Sequence, residues 1–163
     1  MSYWACARLV PHQERLALFH LNRLGFQTYC PLLREHRISH GRKIEVRPML
    51  FPGYLFLTVE TQWYAARWSI GVIGLIMNGL TPARVPDDVI AELRGRERNG
   101  VIDLPKREAF KAGDKVKILK GPFADHLGLY QGQRPHERVL VLLALLGGEQ
   151  RVTLATKDIE VVR

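Results

Sequence analysis

Apolar and polar positions follow different patterns in the two halves of the chain, and the change predicts two folded parts joined near residue 100. In the first half, apolar runs typical of strands are separated by segments whose apolar residues recur with helical spacing. In the second half, short apolar runs separated by Gly, Pro and Asp indicate small strands. These predicted strands are Lys115–Leu119, Gly128–Gln131, Arg138–Leu146, Glu149–Ala155 and Asp158–Val162.

Strand-like and helix-like segments alternate through residues 1–98, which predicts helices around one mixed sheet. The predicted strands are Tyr3–Val10, Phe26–Leu33, Leu50–Val59 and Val72–Met77. Three helices are predicted. The first begins near Pro11 and ends at Gly25, the second covers residues 62–68, and the third runs from Pro86 to Arg98. The cation-rich segment Arg34–Arg47 turns at His40-Gly41, which indicates an exposed basic hairpin.

A polar stretch with Gly100 and Pro105 separates the two halves, so we expect a domain over residues 1–98, a linker over 99–109 and a second domain over 110–163. The strand spacing of the second domain suits a small five-stranded barrel. One of its strands is ambiguous, because the run Val139–Leu146 is rich in Leu and Ala. Periodicity alone cannot distinguish a buried strand from a helix there.

The composition is that of a globular protein, with 47% hydrophobic and 25% charged residues. No apolar stretch approaches the roughly 20 residues that cross a bilayer, so we expect a cytoplasmic protein without membrane contact. The net charge of +8 favours nucleic acid or an acidic protein surface as a partner. Cys6 and Cys30 lack metal-ligand spacing, and we interpret them as buried reduced thiols.

Motifs for catalysis are missing from the sequence, which contains no GxxxxGK[ST], GxSxG or HExxH segment. The six histidines are scattered, and His36 and His40 flank a predicted turn without further ligands nearby. We therefore expect no enzymatic activity, no catalytic residue, no metal site and no cofactor.

Two motifs in order along the chain carry a family resemblance. Phe51-Pro52-Gly53-Tyr54 resembles the signature of the NusG N-terminal domain, and the run from Gly113-Asp114-Lys115-Val116 to Gly121-Pro122-Phe123-Ala124-Asp125 resembles a KOW motif. The resemblance implies an α+β protein, with an N-terminal NusG-type α/β sandwich of mixed or antiparallel sheet and a C-terminal five-stranded KOW β-barrel. It implies a monomeric transcription elongation and antitermination factor.

The resemblance also implies a binding surface for RNA polymerase. In NusG-like proteins the aromatic rings of this strand line a shallow apolar depression that receives the clamp helices of the largest polymerase subunit, and the matching residues are Phe51, Tyr54 and Phe56. The Pro-Gly pair would bend the strand and present the rings. The alternative is that these rings are ordinary core aromatics, since a half-buried strand hides alternate residues.

Contacts with non-template and upstream DNA are implied in the same way. The hairpin resembles that of the RfaH branch, and its implied phosphate contacts are Arg37, Arg42 and Lys43; the competing interpretation is a solvated charged face. His20 and Arg23 match the basic, histidine-bearing first helix of RfaH-type proteins. Where those proteins carry His-Thr-Thr, this chain has Tyr64-Ala65-Ala66-Arg67, so sequence-specific recruitment is not implied.

The KOW barrel is implied to bind a small-subunit ribosomal protein or Rho through Phe123, Leu145 and Leu146, although Phe123 could instead plug the barrel. RfaH-type C-terminal domains can also fold as a helical hairpin that covers the polymerase site, and we hypothesise that this chain retains part of that bistability. The alternative function is a ribosome-associated RNA-binding KOW protein, since such barrels and a basic charge suit RNA.

Overall fold

A computed structural model describes residues 1–103, 115–118, 135–146 and 159–162. The helices are α1 (Glu14–Arg23), α2 (Trp63–Arg67), α3 (Asp87–Arg96) and α4 (Pro135–Leu145). The strands are β1 (Tyr3–Leu9), β2 (Thr28–Tyr29), β3 (Glu35–Ser39), β4 (Arg42–Val46), β5 (Tyr54–Val59), β6 (Val72–Leu75), β7 (Met77–Asn78), β8 (Thr81–Pro82), β9 (Glu97–Arg98), β10 (Val101–Ile102), β11 (Lys115–Ile118) and β12 (Ile159–Val162). The predicted strands Gly128–Gln131 and Glu149–Ala155 and the residue Phe123 lie outside the described residues.

The chain divides into two compact units. The first unit consists of Met1–Cys30 and Gly53–Ile90, and the second of Pro31–Pro52 and Ala91–Arg163. The hairpin segment is thus grouped with the C-terminal part, whereas the sequence suggested a division after residue 98. The boundaries at 98 and 110 stay predictions.

The first unit is built on a four-stranded sheet with the strand order β2-β5-β1-β6. All three pairings are antiparallel, with Cys6 opposite Phe56 in the central pair and Ala7 opposite Leu75 at the β6 side. The central strands β1 and β5 are apolar on both faces, and most of their residues are buried. Helices and sheet together confirm the predicted α+β class.

Helix α1 follows the predicted apolar periodicity for most of its length. Ala17 and Leu21 are buried, as expected for one apolar face. Leu24 is exposed, because the helix ends at Arg23 and Leu24 is its C-cap residue. The first turn carries Glu14 and the last turn His20 and Arg23, charges that suit the two ends of the helix dipole.

Several predicted elements of the first half are shorter than expected, among them the strand Leu50–Val59, which begins only at Tyr54. The strand predicted over Phe26–Leu33 is reduced to β2, after which Leu33 N–H donates to the Pro48 carbonyl instead of a sheet neighbour. The strand predicted over Val72–Met77 divides into β6 and β7. The helix predicted to reach Arg98 ends at Arg96, where β9 begins.

In the second unit, β3 pairs with β4 and β9 with β10, in each case antiparallel. Strands β11 and β12 also pair antiparallel, which confirms two strands predicted for the second half. Within the described ranges no helix is long and apolar enough to cross a membrane.

The prediction of a strand over Arg138–Leu146 is wrong for this conformation, because the segment forms α4. Its buried residues Arg138, Leu142 and Leu146 are spaced four apart and therefore share one helical face. Leu and Ala are strong helix formers, so a segment rich in them is stable as a helix when one of its faces is buried.

Candidate functional site

The aromatic strand predicted to bind a partner has most of its rings in the protein interior. Phe51 is 1% exposed and Phe56 is 0% exposed, whereas Tyr54 is half-buried. Phe56 lies on β5 between β1 and β2, and its ring stacks on Tyr29 at 6.3 Å between centroids. The expectation that all three rings line an open depression is therefore wrong for Phe51 and Phe56 in this conformation, because neighbours cover these positions. Their role in binding stays a prediction.

The predicted bend before this strand is confirmed. Gly53 has a φ of 85°, a left-handed value that a residue with a side chain rarely adopts. Its carbonyl accepts a hydrogen bond of 2.7 Å from Leu9 N–H. The bend thus delivers Tyr54 to the start of β5 in a fixed position, opposite Arg8 of β1.

In the second unit, α4 is attached to the segment that precedes the bend. Arg138 Nε donates a buried hydrogen bond of 2.8 Å to the Leu50 carbonyl, across 88 residues of sequence. The guanidinium-bearing residue is only 2% exposed, and Leu50 and Leu142 are fully buried. A buried cation is tolerated only where its hydrogen bonds are made, so this contact fixes the register of α4 against residue 50.

Two of the three residues predicted to bind a KOW partner, Leu145 and Leu146, lie at the end of a helix in this conformation, and Phe123 lies outside the described residues. Leu145 is the last residue of α4 and is half-buried, and Leu146 directly after it is buried. Any partner that needs Leu146 would require a different conformation of this segment.

The predicted basic hairpin is confirmed, and it is exposed over most of its length. Arg42 and Lys43 follow the turn on β4, with Ser39 and Ile38 opposite them. Arg37 on β3 donates to Glu35 at 3.1 Å, an exposed ion pair that adds little stability. The hairpin therefore offers Arg42 and Lys43 to solvent, with Arg37 partly neutralised.

His20 and Arg23 are brought together with residues that sequence reasoning missed. They line a cavity of about 470 Å³, whose other walls come from the end of α1, from α2 and from the loop after α2. The remaining lining residues are Leu24, Ala65, Trp68, Ser69 and Ile70. The signal that could have found them was the apolar pair Trp68 and Ile70, at and just after the end of the predicted helix, where burial is uncommon.

Both thiols are protonated groups of the first unit. Burial raises the pKa of Cys6 far above its usual value. Burial, and then the nearby Glu14 carboxylate, raise the pKa of Cys30 to about 11. Both are free cysteines; Cys6 is buried as interpreted, whereas Cys30 is half-buried. Among the described residues no group of three or more His, Cys, Asp or Glu side chains could hold a metal ion.

Comparison with known proteins places this geometry in a family. The family model described as "Transcription termination factor nusG" matches residues 2–94, more than half of the chain and the whole region that holds the bend, β5 and the cavity. The chain belongs to the NusG family. The predicted family is thereby confirmed, while the RfaH-like branch and the KOW domain stay predictions.

Relatives in the NusG family are similar over most of their length. The transcription termination/antitermination protein NusG of Thermus thermophilus is 32% identical over 154 residues, covering 87% of this chain and 84% of that protein. The protein of the same name in Deinococcus radiodurans is 29% identical over 165 residues, covering 90% and 86%. A solved structure titled "Domain interaction in Thermotoga maritima NusG" covers 76% of this chain and 75% of its own, with 25% identity and a TM-score of 0.41. A role in transcription, the term shared by the names of the family model and of the two relatives, follows from membership in the NusG family.

Proposed function

We propose that this chain is a transcription elongation and antitermination factor that binds RNA polymerase through its N-terminal domain and increases processivity. The observation that carries the proposal is the NusG family match over residues 2–94, which includes the segment Phe51–Phe56. The activity proposed is binding alone, and no covalent step is part of it. The chain acts as a monomer in the cytoplasm.

The polymerase contact is assigned to the surface around Tyr54, against the clamp helices of the largest subunit. Tyr54 is half-buried and follows the Gly53 bend, so it is pre-positioned as an aromatic anchor. An anchor of this kind is typical of an interface hot spot. Phe56, which is buried in the same strand, and Phe51, which would become accessible once its cover is removed, are the other two rings assigned to polymerase binding.

We propose that α4 is the cover and that it leaves when polymerase binds. The buried Arg138–Leu50 hydrogen bond supports a specific docked state next to Phe51. After release, residues 110–163 refold as the five-stranded KOW barrel, in which Phe123, Leu145 and Leu146 face a small-subunit ribosomal protein or Rho. A two-state element of this kind ties partner recruitment to polymerase engagement.

Nucleic acid contacts complete the proposal. Arg37, Arg42 and Lys43 of the hairpin touch phosphates of the upstream duplex, which positions the factor without reading sequence. His20 and Arg23 face the exposed non-template strand. These contacts supply salt-dependent affinity on the polymerase-bound complex.

The test is co-purification of the full chain with its partners from cell extract. Core RNA polymerase without ribosomal RNA is the expected result. Recovery of ribosomal RNA and ribosomal proteins without polymerase would instead support the ribosome-associated RNA-binding function, which the net charge of +8 favours. The FPGY-bearing domain has no role that we can assign in that setting.

A further inference from the structure

The base of the basic hairpin contains one arginine that pairs with carboxylates on two different segments. We propose that Arg34 is a positioning residue, which joins Glu45 of the hairpin to Asp103 after β10 and thereby fixes the direction in which the hairpin meets duplex DNA. This inference rests on the proposed function, because it explains how the hairpin presents Arg42 and Lys43 to phosphates.

The hairpin depends on its base for its direction. Strands β3 and β4 form a separate two-stranded sheet, and most of their residues are exposed. A single two-stranded hairpin is at best marginally stable in water, so it needs support from the segments at its ends. Glu35, the residue after Arg34, pairs with Val46 at the base. The contacts around this pair therefore decide where the hairpin points.

Backbone hydrogen bonds attach the base of the hairpin to β10. Ile102 N–H donates to the Leu32 carbonyl at 2.8 Å, and Arg34 N–H donates to the Ile102 carbonyl at 3.0 Å. On the other side, Leu33 N–H donates to the Pro48 carbonyl at 2.8 Å. The segment that enters the hairpin thus lies between β10 and the segment that leaves the hairpin. The bond to β10 nearest the hairpin is that of Arg34, so its side chain is placed to act on the strands beyond.

The Arg34 side chain continues this attachment through charge. Its Nε lies 3.2 Å from Glu45 Oε1 on β4, and its Nη1 lies 3.5 Å from Asp103 Oδ2. Nε is shielded from water and has no hydrogen bond among the described residues, so the Glu45 carboxylate balances its charge there. The Arg34 side chain is 26% exposed, compared with 60% for Arg37 in the ion pair within β3. An ion pair that is less exposed is screened less by water and salt.

Glu45 is held from a second side, which extends the pair into a network. Arg47 Nε donates to Glu45 Oε2 at 3.2 Å, while Glu45 Oε1 faces Arg34. Both carboxylate oxygens are engaged, and a network of this kind contributes more than an isolated surface pair. A guanidinium presents several N–H groups in a fixed plane, so Arg34 can meet two carboxylates at once, whereas the ammonium of lysine is a compact point charge.

The direction of the hairpin matters because its cations lie at the far end. Arg42 and Lys43 begin β4 next to the turn, and the five residues of β4 extend roughly 17 Å from there to the base. A tilt of about 20° at the base would move these cations by roughly 6 Å, beyond hydrogen-bonding distance from the same phosphate. A hairpin held in one direction also loses less entropy on binding. Since Asp103 lies in the segment 99–109 predicted as a linker, that segment takes part in directing the hairpin.

The first experiment sets charge against position. Asp103→Asn removes a carboxylate from a chain of net charge +8, so charge alone predicts tighter binding of duplex DNA. The positioning role predicts binding weaker by about threefold, because the hairpin loses one of its contacts. The matched control is Asp88→Asn, which removes an exposed carboxylate in the first turn of α3 and should bind as tightly as the unchanged chain or more tightly. Fluorescence anisotropy with a labelled duplex of mixed sequence, at one fixed low salt concentration, measures all three affinities.

Backbone nitrogen relaxation gives a second readout, which requires no DNA. Amides of residues 35–46 should have order parameters of about 0.85 in the unchanged full-length chain, and Arg34→Gln should lower them towards about 0.6. Arg34→Lys keeps the charge without the planar group, so it should recover part of the rigidity and part of the DNA affinity. Asp103→Asn leaves Arg34 paired with Glu45, and therefore it tests the proposal even if Arg34→Gln does not fold.

Three results would overturn the positioning role. The first is a set of hairpin order parameters that does not change in Arg34→Gln. The second is Asp103→Asn binding duplex DNA as tightly as Asp88→Asn. The third is no measurable binding of the duplex by the unchanged chain, since there would then be no DNA contact for Arg34 to direct.

Binding of core RNA polymerase without DNA separates this proposal from the proposed function. Arg34→Gln and Asp103→Asn leave the surface around Tyr54 intact, so both should bind core polymerase as the unchanged chain does. If the unchanged chain fails to bind polymerase while hairpin rigidity and duplex affinity respond as expected, the proposed function is wrong and the positioning role stands. If polymerase binds normally and neither readout responds, the positioning role alone is wrong.

Discussion

Phe56 of β5 and Trp68 at the end of α2 are both aromatic, but they have opposite environments. Phe56 lies in a strand with neighbours on both sides and is buried, whereas Trp68 follows the last residue of a five-residue helix and is exposed. The difference shows that a motif identifies a region, but the neighbours of each residue decide whether its ring is available to a partner.

The largest effect on stability should come from removing the buried ring, that of Phe56. Phe56→Ala leaves a cavity between β1, β2 and the ring of Tyr29, so it should lower the free energy of unfolding by about 3–5 kcal/mol. Trp68→Ala removes an exposed ring and should change it by no more than about 0.5 kcal/mol. Urea denaturation followed by circular dichroism measures both. A larger loss for Trp68→Ala would reverse the assignment of core and surface.

The second test applies the same contrast to α4. Leu142 is fully buried and Leu140 is exposed on the same helix. Leu142→Ala should weaken the docking of α4 by about 2–5 kcal/mol, and amide hydrogen exchange over residues 135–146 should accelerate by more than tenfold. Leu140→Ala should leave that exchange rate nearly unchanged. Equal rates in the two variants would mean that α4 has no specific buried face.

The third test concerns the exposed hairpin, where a substitution should change DNA binding through the loss of charge and not through the loss of buried contacts. Replacing Arg42 and Lys43 together by Ala should lower the salt dependence of duplex DNA binding, by a slope of roughly 0.9 for each phosphate that the hairpin no longer neutralises. The control is Arg15→Ala, which removes an exposed cation of α1. A slope that falls as much in Arg15→Ala would show that the hairpin contributes only to the general positive charge.

The smallest expected effect is on the reactivity of the Cys30 thiol. Burial raises the pKa of Cys30 to about 11, so the thiol should react slowly with Ellman's reagent at about pH 8 and readily once urea has unfolded the chain. Because the folded state holds the proton more tightly than the unfolded state, this group stabilises the fold below the ordinary cysteine pKa. That contribution is lost as the pH rises towards about 11. Rapid labelling of the native chain would contradict the burial of Cys30.

Much of the first half could be predicted from its sequence because local signals agree with the fold there. The strand at Tyr3, the helix over 62–68 and the turn at His40-Gly41 have patterns that tertiary contacts reinforce. The burial of Phe56 was harder to predict, because it depends on β1 and β2, which are distant in sequence.

The structure of the segment Arg138–Leu146 could not be predicted from its sequence alone. Its apolar run is equally compatible with a buried strand and with a helix. Which of the two forms depends on the residues that pack against it. In this conformation Arg138 Nε donates a hydrogen bond to the Leu50 carbonyl, and the segment is helical. Trp68 and Ser69 were missed because each becomes a wall of a cavity only when Gly71 places the loop against Ala17.

The central claim, that the surface around Tyr54 binds RNA polymerase, is tested most directly by the affinity of the full chain for core RNA polymerase with and without Tyr54→Ala. Removal of an anchoring aromatic ring should weaken binding about tenfold or more, while the exposed-ring control Tyr64→Ala should bind as the unchanged chain does. Equal affinity of Tyr54→Ala and the unchanged chain would contradict the account.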